Sequence, residues 1–216
     1  VQRLAVILPF EEELFRAAGV EARFVGHPLL AGLQPEVDAA ALRAEAGVPP
    51  GGTLLGLLPG SRRQELRAHG PVMAAGARRL RAGRSGLVAA LALAPGLERE
   101  AARLRGALEG VRVLTGRTRA IQAHSACCAV ASGTATLETA LFGTPEVVVY
   151  RTGRVNYAIA RRVVRLPRIG LPNIVAGAAV APELLQGDLT AERLAGVLAP
   201  WLDDAGSRAR ASAALG

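Results

Sequence analysis

From Thr53 to Tyr150 the chain alternates short, continuous apolar runs with longer mixed stretches that read as helices. The apolar runs predict strands at Thr53–Leu58, Leu87–Leu93, Val111–Leu114, Cys127–Ala131 and Glu146–Tyr150. Between and around them lie predicted helices at Val37–Ala46, Gln64–Ala82, Leu97–Leu108, Thr118–His124, Thr134–Phe142 and Val155–Val164. The strands lack polar alternation, as parallel strands do when helices cover both faces. Alternating β and α segments of this kind predict a doubly wound, Rossmann-like α/β domain. In such sheets ligands bind at the carboxyl ends of the strands.

The opening residues follow the same grammar on a smaller scale. Leu4–Leu8 reads as a strand, Phe10–Ala18 as a helix with Glu11, Glu12 and Glu13 in its first turn, and Arg23–Val25 as a strand. Acidic residues there complement the positive end of the helix dipole. Gly26-His27-Pro28 then breaks the pattern. Residues 1–27 are therefore expected to be the trailing elements of another domain, and 28–216 the main one. The segments Thr190–Leu202 and Gly206–Leu215 read as closing helices, and Gly170–Gly177, bounded by glycine and containing Pro172, reads as a loop.

Composition narrows the function. Half of the residues are apolar, so the chain is not disordered, and at 216 residues it can bury a full core. The formal net charge is +8 and every basic residue other than histidine is arginine. A basic balance implies an anionic partner. Only 3% of residues are aromatic, too few for the stacking platforms of single-strand nucleic-acid binders, so nucleic acid is not expected. A phosphorylated small molecule or an anionic membrane surface remains. Cys127 and Cys128 are adjacent in a predicted strand, point to opposite faces, and suit a reducing compartment. No apolar run reaches the length of a membrane-spanning helix.

Two loops carry the candidate chemistry. Leu57-Leu58-Pro59-Gly60-Ser61-Arg62-Arg63 follows the first strand of the main domain. Gly60 permits a tight turn, Ser61 offers a hydroxyl, and Arg62 can fork onto a phosphate. Ala131-Ser132-Gly133-Thr134-Ala135-Thr136-Leu137-Glu138 sits where a strand turns into a helix. The helix start presents free N–H groups and partial positive charge to an anion, and Glu138, about one turn in, suits a sugar diol. The bland reading of the same residues is helix capping and a solvated glutamate. Asn173 is the only polar side chain of its apolar loop, either satisfying backbone or reaching a ligand. A basic, apolar-streaked helix from Arg151 to Arg168 suits an anionic membrane surface or is a solvated face. No metal-binding pattern, dinucleotide fingerprint or serine nucleophile elbow is present, and acid–base candidates are thin.

Taken in order, Leu4–Glu11, Gly26-His27-Pro28-Leu29, Leu57–Arg62, Ala131–Glu138, Gly143-Thr144-Pro145, Tyr150-Arg151, Leu171-Pro172-Asn173 and Pro182–Gln186 closely resemble the lipid A disaccharide synthase family. These are inverting glycosyltransferases of the GT-B fold, and the resemblance covers their carboxyl-terminal half. It implies a UDP-2,3-diacylglucosamine donor, a 2,3-diacylglucosamine 1-phosphate acceptor, a β-1,6-linked disaccharide product for lipid A, and no metal or other cofactor. It further implies that Ser61 and Arg62 meet the diphosphate, and that Ser132, Gly133, Thr134 and Thr136 add helix-end donors. Glu138 would hold the ribose, and backbone near Gly116 and Arg117 would read the uracil. Arg62 and Asn173 would stand at the reaction centre. The family's general base lies in the amino-terminal half, so a fragment of this extent is expected to bind UDP without turnover. The location implied is the cytoplasmic face of a Gram-negative inner membrane. Another GT-B enzyme acting on UDP-N-acetylglucosamine, or a non-catalytic membrane-binding module, are the alternatives.

Overall fold

A computed structural model of the chain describes residues 3–152 and 168–215. β1 (Arg3–Val6), α1 (Pro9–Ala17) and β2 (Glu21–Phe24) come first, the two strands forming a parallel pair of their own. The acidic start of α1 is used as expected: Glu11 accepts the Leu8 backbone N–H at 3.0 Å. A single turn, α2 (Leu29–Gly32), lies just past the Gly26-His27-Pro28 break.

The main unit runs α3 (Ala39–Ala46), β3 (Thr53–Leu58), α4 (Arg63–Arg81), β4 (Leu87–Leu93), α5 (Glu98–Arg103), β5 (Arg112–Thr115) and α6 (Thr118–His124). It continues with β6 (Cys127–Ala131), α7 (Thr134–Leu141), β7 (Glu146–Tyr150), α8 (Leu171–Val175), β8 (Glu183–Leu185), α9 (Ala191–Asp203) and α10 (Ala205–Ala213). Six strands form one all-parallel sheet in the order β5-β4-β3-β6-β7-β8. Numbered from β3, that order is 3-2-1-4-5-6, the doubly wound arrangement.

Alternate residues of the same strands feed two separate cores, which is why the runs carry no polar positions. Leu55, Leu57, Leu91, Cys127, Val147 and Val149 pack against Met73 and Leu80 of α4 and Leu194 and Leu198 of α9. Leu54, Leu58, Ala90, Cys128 and Val130 face the other way, onto Leu42 of α3 and Ile121 of α6. Each leucine fully buried here contributes about 2 kcal/mol. Gly56 lets α6 close on the sheet, since a Cβ there would stand 2.9 Å from the Ile121 side chain. Burial pushes the Cys127 thiol up to about 12 and raises Cys128 well above the usual thiol range, so both are inert packing residues.

Two expectations change, and one strand was missed. Gly170–Gly177 is not an open loop: Leu171–Val175 is a short helix with proline in its first turn. The helix expected at Leu97–Leu108 ends at Arg103 and gives way to turns. β8 escaped notice because three residues are too few to show a period. The basic helix expected at Val155–Val164 lies outside the described residues.

Candidate functional site

β3 leads outward to β4 and β5 on one side, while β6 starts the opposite progression through β7 and β8. The chain reverses direction between β3 and β6, and a crevice opens at their carboxyl ends. Their register pairs Leu58 with Val130, so the loops that follow each strand lie side by side. The cleft between them encloses about 370 Å³ and is lined by Gly60, Ser61, Arg62, Thr118, the Ala131–Ala135 turn and Glu138, among others. The two loops singled out in the sequence thus meet in one cavity.

On the β3 side, the turn is shaped by a residue that sequence reasoning passed over. Glu65 reaches back to accept the Arg62 backbone N–H at 3.0 Å, and its second oxygen pairs with the Arg62 guanidinium at 3.0 Å. This caps the start of the 19-residue α4. Gly60 has a φ of +108°, and a Cβ there would stand 2.7 Å from the Glu65 Cβ. Only glycine fits both constraints. The usual capping-box signature has Ser or Thr at the cap; arginine in that place hid the motif.

On the β6 side, Gly133 has a φ of +152°, a backbone that favours glycine. Thr134 and Ala135, which open α7, line the cleft with N–H groups that no earlier turn of the helix can satisfy, while the Thr136 N–H donates to the Gly133 carbonyl at 3.1 Å. Ser132 spends its hydroxyl on the Ile169 carbonyl, 3.1 Å away, anchoring the turn. Thr136 departs from expectation. It is fully buried and absent from the cleft lining, and its hydroxyl donates back to the Gly133 carbonyl at 2.7 Å. It shapes the turn from behind, because the third residue of the helix has already rotated off the exposed face.

Glu138 borders the cleft one turn further along. Among the described residues its carboxylate makes only long contacts, 3.6 Å to the Arg119 guanidinium and 3.5 Å to the Gln122 amide. Gln122 is buried and ties α6 to α7 through the Ala135 carbonyl at 2.9 Å and the Thr139 hydroxyl at 3.1 Å. The Glu138 lone pairs therefore remain open to a donor in the cleft.

Gly116 and Arg117 sit at the end of β5, beside the lining residue Thr118 but outside the lining itself. Arg117 turns its guanidinium onto Glu45 at 2.7 Å. The adjoining start of α6 is already capped: Glu36 accepts the N–H groups of Arg119 at 3.1 Å and Ala120 at 2.7 Å.

Asn173 is not in the cleft. It is buried on α8, and both ends of its amide are used inside the chain. It donates to the Ala181 carbonyl at 2.7 Å and to Glu183 at 2.8 Å, and accepts from the Val180 and Ala181 N–H groups at 2.8 Å each. Of the two uses open to a lone amide, satisfying local backbone is the one observed. Arg151, expected on a basic surface, instead turns inward to the Gln186 and Leu189 carbonyls. Among the described residues, no helix is long and apolar enough to span a membrane.

A family model described as Lipid-A-disaccharide synthetase matches residues 1–213. The chain belongs to this family. A lipid-A-disaccharide synthase of Anaeromyxobacter sp. (strain K) is 41% identical over 219 residues, covering 100% of this chain and 57% of the relative. Synthases of Myxococcus xanthus (strain DK1622) and Pseudomonas aeruginosa (strain LESB58) are 42% and 40% identical, over 90% and 93% of this chain and 51% and 54% of theirs. The chain thus spans about half the length of the lipid-A-disaccharide synthases it matches. Among solved structures, a putative UDP-N-acetylglucosamine 2-epimerase from Listeria monocytogenes superposes with a TM-score of 0.61 at 15% identity, over 95% of this chain and 51% of that one. WaaG, a glycosyltransferase involved in lipopolysaccharide biosynthesis, gives 0.56 at 17%, over 98% and 56%. At such identities the likeness concerns fold: one half of a GT-B chain.

Proposed function

We propose that this chain is the donor-nucleotide half of a lipid-A-disaccharide synthase. Its task is to hold UDP-2,3-diacylglucosamine while the sugar passes, with inversion, to 2,3-diacylglucosamine 1-phosphate. The observation that carries this reading is the meeting of the Gly60–Arg62 turn, the α7 start and Glu138 around one cleft at the sheet's reversal point. That set offers donors for a diphosphate from two loops and, one turn further along α7, an acceptor for a diol.

In the transfer, the acceptor hydroxyl attacks the anomeric carbon as the bond to UDP breaks, and negative charge grows on the leaving diphosphate. On this reading Arg62 and the α7 N–H groups stabilise that charge, with no proton transfer from these residues. Arg62 is free to serve. Its side chain is 81% exposed and its partner Glu65 lies three residues away on the same helix. An exposed pair of this kind is worth only about 0.5 kcal/mol, so exchanging it for a phosphate costs little. Glu138 takes the ribose hydroxyls. Asn173 acts by fixing the turn after α8 rather than by touching substrate.

The general base is assigned to the amino-terminal half of the enzyme, and the basic stretch around Arg154–Arg168 to an anionic membrane surface on the cytoplasmic side. The chain alone is therefore expected to bind UDP and to make no disaccharide. Incubation with both lipid substrates, read by mass spectrometry, tests this. Robust formation of the tetraacyl disaccharide by the chain alone would show that its own residues supply the base.

A further inference from the structure

His69 is unused in the account above, yet its placement is unusual. It lies on α4 with only 1% of its surface exposed, and both ring nitrogens are engaged by backbone of different loops. Nδ1 lies 2.8 Å from the Pro59 carbonyl, and Nε2 lies 2.9 Å from the Arg151 N–H. A carbonyl can only accept and an N–H can only donate. The ring is therefore neutral, with its proton on Nδ1. Pro59 opens the turn after β3, and Arg151 is the first residue past β7. These strands are not neighbours, because β6 lies between them. The imidazole thus spans the strand that carries the α7 turn and ties together the loops on either side of it.

Resting on the reading of the cleft as a nucleotide site, we propose that His69 is a positioning residue, whose neutral ring clamps the Pro59–Arg62 turn to the end of β7 and so sets the grip on the diphosphate. Protonation opens the clamp. It places a second N–H against that of Arg151, where no acceptor remains. Burial opposes the charge first, and the Arg151 guanidinium adds to it; the Pro59 carbonyl and Glu65, on the same helix, pull the other way. Arg62, Arg67 and Tyr150 line the adjoining cavity with His69. The clamp therefore holds through the neutral range and yields only below the ordinary imidazole range.

The test compares the chain with His69→Gln, which keeps a donor and an acceptor, and with His69→Leu, which keeps neither. UDP titration from about pH 8 down to about pH 4.5 reaches below the ordinary imidazole range, where the clamp is expected to yield. His69→Leu is expected to lose about tenfold in UDP affinity at the higher pH, with His69→Gln recovering part of it. As pH falls, the wild type should lose affinity relative to His69→Gln, because only the wild type titrates at this position. The nucleotide's own terminal phosphate takes up a proton in the same range but does so equally for both. Amide exchange at one pH supplies the second readout: Ser61, Arg62 and Arg151 should all exchange faster in either variant. Equal affinity in His69→Leu, or parallel pH profiles for wild type and His69→Gln, would overturn the proposal. So would unchanged exchange at both loops. If His69→Leu fails to fold, the glutamine comparison decides alone. If the wild type binds no UDP while exchange responds at both loops, the clamp stands and the nucleotide reading is what has failed.

Discussion

Replacing Gly60 with alanine attacks the turn where its two constraints coincide. The backbone at Gly60 has a φ of +108°, outside the range an L-residue adopts without strain, and that alone costs roughly 1–2 kcal/mol. The new Cβ would also lie 2.7 Å from the Glu65 Cβ and 2.8 Å from its Cδ, and closer still to a carboxylate oxygen. Glu65 must swing away, which forfeits its bond to the Arg62 N–H and the α4 cap, about 1 kcal/mol more. The expected loss is about 2–3 kcal/mol, or about 5–10 °C in Tm for a chain of this size. Urea unfolding followed by far-ultraviolet circular dichroism reads it directly. Glu65→Ala should lose only the cap, about 1 kcal/mol. The double variant should cost less than the two singles together, since removing Glu65 clears the clash. A Gly60→Ala variant within about 0.5 kcal/mol of the wild type, or strict additivity in the cycle, would refute this account of the turn.

Three further outcomes are expected. Asn173→Ala should lower stability by about 3 kcal/mol, because several buried backbone groups lose their partner; an unchanged urea midpoint would contradict the bonding described. Thr136→Val should cost about 1 kcal/mol and leave UDP affinity essentially unchanged, whereas a large affinity loss in a stable variant would return Thr136 to the phosphate site. Glu146 opens β7 buried, with neither carboxylate oxygen bonded among the described residues, and burial raises its pKa well above the usual carboxylate range. The folded state keeps the proton that the unfolded state has lost. Its contribution is thus complete below about pH 4.3 and is lost as pH rises towards the folded value, by up to about 1.36 kcal/mol per pH unit. Glu146→Gln should flatten that decline and be the more stable protein at neutral pH; parallel stability–pH curves would contradict this.

Much of the main sheet was legible because its strands are buried on both faces. Thr53–Leu58, Leu87–Leu93, Cys127–Ala131 and Glu146–Tyr150 stand where the apolar runs lie, since two helical layers leave such strands no polar position. Cys127 and Cys128 fall in opposite cores, as a two-residue period requires. The meeting of the two loops followed from the same topology, because both trail strands that flank the reversal. What could not be read were side-chain directions set by tertiary neighbours. Thr136 and Asn173 carry polar groups suited to a ligand, but whether those groups face a cleft or the chain's own backbone depends on one turn of helix phase. Glu65 and His69 were hidden for a related reason. Each acts on backbone atoms, Glu65 at Arg62 and His69 at Pro59 and Arg151, and no side-chain pattern announces such bonds. β8 and the short α8 were lost to length alone.

The central claim is that the two loops and Glu138 form a nucleotide site, and calorimetric titration of UDP tests it most directly. The wild-type chain should bind UDP, and Arg62→Ala and Glu138→Ala should each weaken binding by about tenfold, roughly 1.4 kcal/mol apiece. Absence of binding to a demonstrably folded chain, or affinity unmoved by both substitutions, would contradict the assignment.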